Sequence, residues 1–123
     1  MPKILLVEDN ELNRQMLTRR LQRLHYDVVV ALDAEDGRSL ASSERPDLIL
    51  MDIGLPGMDG LQLTQLLKAD PATKQIPIIV LTALGMEARD QAFASGCEAF
   101  AMKPIAFSKL QEMIEALVLQ HKS

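Results

Sequence analysis

Tryptophan is missing from this chain; tyrosine occurs once and phenylalanine three times. So small an aromatic supply argues against a surface that binds nucleic acid by stacking bases. The single cysteine, Cys97, rules out an internal disulfide and fits a reducing compartment. No His or Lys adjoins it in sequence to lower its pKa, so it reads as packing rather than as a reactive thiol. No apolar run approaches the length of a membrane span, and Met1-Pro-Lys leads straight into a strand-like segment without a secretory leader. The expected address is the cytoplasm. Charge of one sign is also lacking: 13 basic and 17 acidic residues are mixed along the chain, for a net −4. The one tight basic cluster, Arg19, Arg20 and Arg23, lies beside Gln22 and His25 on a predicted helix and reads as a solvated face. Neither a nucleic acid nor a membrane is expected as a partner.

What is present is an alternation. Five short apolar runs, Lys3–Val7, Asp27–Ala31, Leu48–Met51, Ile78–Leu81 and Ala99–Ala101, read as strands. Between and after them lie five segments of helical period: Glu11–Leu24, Ala34–Ser42, Gly60–Ala69, Met86–Ser95 and Lys109–Gln120. Leu110, Met113, Ile114, Leu117 and Val118 form one apolar stripe, and Leu12, Met16, Leu17, Leu21 and Leu24 another. Ser108 with Gln111 makes a capping-box pattern, and Gly96 is placed to end the preceding helix. Strict βα alternation implies a parallel sheet with helices on both faces. Right-handed crossovers favour a doubly wound five-stranded sheet of order 2-1-3-4-5. The 123 residues are expected to form a single domain, residues 1–123, with no output domain.

The most informative stretch is Leu48-Ile-Leu-Met-Asp52-Ile-Gly-Leu-Pro-Gly-Met-Asp-Gly60. A long Leu/Ile run reads as a strand buried on both faces, and the Pro/Gly-rich segment as its exit loop. Asp52 is then held at the carboxyl end of a central strand, where open α/β sheets place ligands. Glu8-Asp9-Asn10 follows the first strand, Thr82-Ala83 the fourth and Lys103-Pro104 the fifth. In this sheet order Glu8, Asp9 and Asp52 converge at the switch point. Clustered acids repel one another, and a hard divalent cation relieves them. Oxygen ligands without His or Cys point to Mg²⁺ or Mn²⁺ rather than Zn²⁺. A carboxylate so placed can attack phosphorus and form an acyl phosphate, with Lys103, the Thr82 hydroxyl and loop N–H groups supplying positioning and charge. Taken alone, Glu8 and Asp9 fit equally well as an acidic helix start capped by Asn10 or Asp9.

With these residues in order, the chain resembles the receiver domain of two-component response regulators over essentially its whole length. The matching positions are Glu8-Asp9, Asp52 with Pro56 and Asp59-Gly60, Thr82-Ala83, Gly96 and Lys103-Pro104. The resemblance implies that Asp52 accepts a phosphoryl group from a histidine kinase or histidine phosphotransfer protein. It implies that Asp9, Asp52 and the Gly54 carbonyl bind Mg²⁺ directly, and that Glu8 acts largely through water. Lys103 would pair with the phosphoryl oxygens, Thr82 would turn to bond one of them, and the Lys103-Pro104 bond would be cis. The family's switch aromatic falls on Phe100, where tyrosine is common; a purely packing phenylalanine fits as well. Gly54 is a second departure, because the family often carries a larger side chain there. The segments around Glu8 and Gly96 look most like receivers of hybrid kinases and stand-alone cell-cycle regulators.

The expected function is a phosphorylation-dependent switch, not an enzyme acting on other molecules. Its output would be a protein target bound near the fourth helix, fifth strand and fifth helix. A phosphorelay intermediate passing the group to a second histidine is a close alternative, and a non-phosphorylated scaffold a more distant one. A flavin carrier of the same topology would need a Ser/Thr/Gly phosphate loop where Glu8-Asp9-Asn10 stands. A metal phosphatase would want a second acid near Asp52, at the position Gly54 occupies.

Overall fold

The computed structural model describes residues 2–52, 60–82, 87–103 and 106–122. Its elements alternate as expected: β1 (Lys3–Val7), α1 (Glu11–Arg23), β2 (Asp27–Ala31), α2 (Ala34–Glu44), β3 (Leu48–Asp52), α3 (Gly60–Ala69), β4 (Ile78–Thr82), α4 (Glu87–Ala94), β5 (Ala99–Met102) and α5 (Phe107–Lys122). The strands form one sheet of order β2-β1-β3-β4-β5, and every pairing is parallel. This is the doubly wound, flavodoxin-like architecture read from the sequence. Among the described residues no helix is long and apolar enough to cross a membrane.

Period-two alternation divides the core between the two faces of the sheet. Ile4, Leu6, Leu48, Leu50, Ile79 and Leu81 pack with Leu21 of α1 and with Leu110, Ile114 and Val118 of α5. Leu5, Val7, Ile49, Met51, Ile78 and Val80 pack with Ala41 of α2, Leu63 and Leu67 of α3 and Ala92 of α4. The central strands are therefore apolar between their ends, because neither of their faces meets water there. On the second face α2 approaches the sheet closely at Gly37, where a Cβ would lie 3.1 Å from Leu63 and 3.2 Å from Val7. Gly96 ends α4 at φ 104°, as its position suggested.

Three strands run one residue beyond their expected ends, all at the carboxyl edge. The ladder continues through Asp52↔Leu81 and Thr82↔Met102. Strand ends placed at the last apolar residue of β3 and β4 stop short because pairing depends on the backbone, not on side-chain polarity. Asp52 and Thr82 are thus strand residues themselves.

Two helix readings need correction. The expected apolar stripe of α1 is two stripes. Leu17, Leu21 and Leu24 lie inward, but Leu12 is 77% and Met16 51% exposed. At about 100° per residue the two groups point roughly 100° or more apart around the helix. Ser108 does not cap α5. The helix starts at Phe107, and the Ala106 carbonyl accepts from Lys109 N and Leu110 N. Phe107 packs against the core beneath the Arg20 guanidinium, 5.2 Å from its ring centroid, which draws the helix start forward.

The amino edge of the sheet is fastened by a polar knot. Lys68 Nζ donates to the Ile76 carbonyl at 2.6 Å, the Lys74 carbonyl at 3.1 Å and Glu98 Oε2 at 2.7 Å, while Glu98 Oε1 accepts from Ile78 N at 2.9 Å. Glu98→Ala leaves the Ile78 N–H and the Lys68 ammonium without this acceptor. It is expected to lower stability by about 1–3 kcal/mol. Glu98→Gln keeps an acceptor for Ile78 and should lose less. Urea unfolding followed by circular dichroism checks both.

Candidate phosphoacceptor site

Register brings the site together. Val7 pairs with Met51, so the next residues, Glu8 and Asp52, leave β1 and β3 side by side. Alternation places both on the sheet face covered by α1 and α5. Each is almost wholly buried, with Glu8 2% and Asp52 1% exposed. From the far side Lys103 reaches in, its Nζ 2.5 Å from Asp52 Oδ1. The lysine is held there by its backbone, whose N–H donates to the Thr82 carbonyl at 2.7 Å. The ammonium, itself partly exposed, sets a positive charge against a buried carboxyl group at the edge of an apolar core.

Glu8 bears the electrostatic load. Burial first, and then the negative charge of Asp52, push its carboxyl up to about 7 from an ordinary 4.5. A hydrogen bond between the two carboxyls favours the protonated form of Glu8, whereas Lys103 and the side chain of Asn13 favour the charged one. Two buried acids are thus close enough to share a proton. A set of carboxylate oxygens with no nitrogen or sulfur ligand is a donor set for a hard divalent cation, which would take the proton's place.

Asp9 is exposed, and among the described residues no three metal-ligating side chains form one cluster. The structure brings Glu8, Asp52 and Lys103 together and leaves Asp9 at the rim beside them. Asn10 rather than Asp9 caps α1, its Oδ1 accepting from Asn13 N at 2.9 Å. Gly54, Pro56, Asp59, Ala83 and Pro104, with the expected cis bond, lie outside the described residues.

Thr82 is fully buried at the end of β4. Phe100 pairs with Val80, and both Val80 and Phe100 belong to the face covered by α4. Alternation puts Thr82 on that face too. The Phe100 ring lies 6.4 Å from that of Phe93 on α4, which is exposed and stacked by the Arg89 guanidinium at 5.3 Å. Cys97 is buried, and burial together with the charge of Glu98 pushes its thiol up to about 11, well away from reactivity. Arg14 is a site residue that motif reading missed: its Nη1 donates to the Glu8 carbonyl at 3.2 Å. Its signal in the sequence was nearness to the acid pair.

Residues 4–115 match the response regulator receiver domain family. The chain belongs to that family. Receivers of this kind are phosphoacceptor domains of two-component signalling. This receiver is 38% identical to the polar-differentiation response regulator DivK of Brucella anthropi, over 94% of this chain and 96% of that one. It is 40% identical to the response regulator PleD of Caulobacter vibrioides over 84% of this chain but 23% of PleD. Among solved structures it resembles the receiver domain of the sensor histidine kinase PA1611 from Pseudomonas aeruginosa PAO1. The TM-score is 0.87 at 32% identity, covering 95% of this chain and 97% of that one, and that structure holds magnesium in its active-site cleft.

The raised Glu8 fixes a pH dependence for the receiver in the presence of a chelator. Between the ordinary value of 4.5 and about 7 the folded protein keeps a proton that the unfolded chain has lost. Stability therefore falls as pH rises through that window, by at most about 3 kcal/mol. Glu8→Gln should flatten the slope. Thermal or urea unfolding at pH 5, 6 and 7 with EDTA checks it.

Proposed function

We propose that this receiver accepts a phosphoryl group on Asp52 from a histidine kinase or a histidine phosphotransfer protein in the cytoplasm, and reports it by binding a downstream protein. The observation that carries the reading is the pairing of buried Asp52 with Lys103, with Glu8 beside it. It supplies a nucleophile and a fixed cation at one strand end. The Asp52 carboxylate oxygen attacks phosphorus, and an O–P bond forms as the donor's P–N bond breaks. The electron pair leaves on the imidazole nitrogen, which takes a proton. Lys103 is placed to pass from Asp52 to the oxygens of the incoming group. Mg²⁺ held by Asp9, Asp52 and the Gly54 carbonyl, with Glu8 acting through water, would neutralise those oxygens. Hydrolysis of the acyl phosphate resets the switch.

A donor histidine must cover the rim from which α1 starts. The exposed Leu12 and Met16, flanked by Arg19, Arg20 and Arg23, line a surface groove on that helix. Their apolar surface supports docking of a donor there. Overlap with nearly the whole of DivK supports output through the receiver's own surface. Thr82 turning toward the phosphoryl group would free space for Phe100, and Phe100 touches Phe93. Phe93, Met102 and Leu119 are exposed on α4, β5 and α5. That apolar face is the one we assign to the target.

Incubation with acetyl phosphate and Mg²⁺ should add the mass of one phosphoryl group. The gain should vanish in Asp52→Asn and with EDTA, and should slow at least tenfold in Lys103→Ala. Intact-mass spectrometry reads all four, and a chain that gains nothing under any condition overturns the reading. Beryllofluoride with Mg²⁺ should change amide hydrogen exchange in α4 and β5 while leaving β1 and β2 unaltered. Unchanged exchange in α4 would remove the switch from the proposal.

A further inference from the structure

Arg14 bonds the backbone on both sides of Asp9. Its Nη1 donates to the Glu8 carbonyl at 3.2 Å, and its own N–H donates to the Asn10 carbonyl at 2.9 Å. The second bond is the first turn of α1 closing in the ordinary way. The first is not ordinary. Glu8 N–H donates to the Ala31 carbonyl at 3.1 Å, which carries the β1–β2 ladder one residue past Val7↔Ala31. In a continued parallel ladder the Glu8 carbonyl would accept next from the backbone of residue 33. β2 ends at Ala31, however, and Asp33 caps α2. The Arg14 guanidinium supplies the donor that the ladder no longer does.

The two acids differ in what else holds them. The Glu8 side chain is buried, and close packing fixes it. Asp9 is exposed, and among the described residues no ion pair or hydrogen bond fixes its side chain. The direction in which such a carboxylate leaves the chain is set by the peptides on either side of it. Arg14 holds the carbonyls of both. It does so without occupying a carboxylate oxygen, because its donors go to the backbone, and among the described residues it pairs with neither acid. A planar guanidinium with N–H groups in fixed directions suits a carbonyl acceptor better than a freely turning ammonium.

We propose that Arg14 is a positioning residue of the phosphoacceptor site, clasping the backbone around Asp9 so that its carboxylate is held in place for the divalent cation. This rests on the reading that Asp9 and Asp52 bind Mg²⁺. The guanidinium is itself a cation, and by charge alone it would hinder a metal. Removing that charge should tighten Mg²⁺ by Coulomb's law, whereas removing the clasp should weaken it. The two effects have opposite signs, so the direction of the change identifies the role.

Arg14→Met keeps the side-chain stem and loses both charge and donors, whereas Arg14→Lys keeps the charge and a donor group. Mg²⁺ titrations of the parent chain and both variants are followed by amide NMR at one alkaline pH, where the spectrum also reports the fold. Arg14→Met should weaken Mg²⁺ about tenfold, and Arg14→Lys should lose less. In EDTA the backbone order parameter of Asp9 should fall from about 0.85 in the parent toward about 0.6 in Arg14→Met, with β1 unchanged. Three results overturn the assignment while the phosphoacceptor reading stands: Mg²⁺ bound as tightly or more tightly by Arg14→Met, a loss in Arg14→Lys as large as in Arg14→Met, or an unaltered Asp9 order parameter. A parent chain that binds no Mg²⁺ overturns both.

Discussion

Two carboxyl groups buried side by side at the carboxyl edge of a parallel sheet constrain everything around them. Glu8 and Asp52 arrive there because β1 and β3 pair in a register that ends both strands at the same level. Burial would expel either charge, and their mutual repulsion makes matters worse. The protein answers with a lysine against Asp52 and with a Glu8 carboxyl that holds its proton more tightly than usual. In the proposed reaction a divalent cation and a phosphoryl group would replace these arrangements.

The sheet separates the acids from the residues of the proposed switch. Successive residues of a strand point to opposite faces. The acids sit toward α1 and α5, and Thr82 and Phe100 sit toward α4. Lys103 bridges the two, since its side chain pairs with Asp52 while its backbone is bonded to Thr82. An event on one face has a covalent and hydrogen-bonded route to the other without crossing the packed core.

Much of this was legible in the sequence, because the signals were redundant. Five apolar runs of strand length between helical periods admit few topologies, and Asp52, Thr82 and Lys103 each follow such a run. What escaped was set by three-dimensional context. The outward turn of Leu12 and Met16 could not be separated from the inward stripe, since five apolar residues on α1 satisfy a helical period loosely. Phe107 overrode the Ser108 cap because a half-buried aromatic packed on the core outweighs one side-chain hydrogen bond. The reach of Arg14 to the Glu8 carbonyl depends on which way the first turn of α1 faces, and no motif encodes that.

The knot of Lys68 and Glu98 gives β4 a mechanical character. Hydrogen bonds and an ion pair clamp the chain where it enters the sheet, at Ile76 and Ile78. Thr82 lies at the other end of the same strand, about 13 Å away. With β3 and β5 paired along both of its sides, β4 is a stiff element anchored far from the site, so Thr82 is presented from a fixed base.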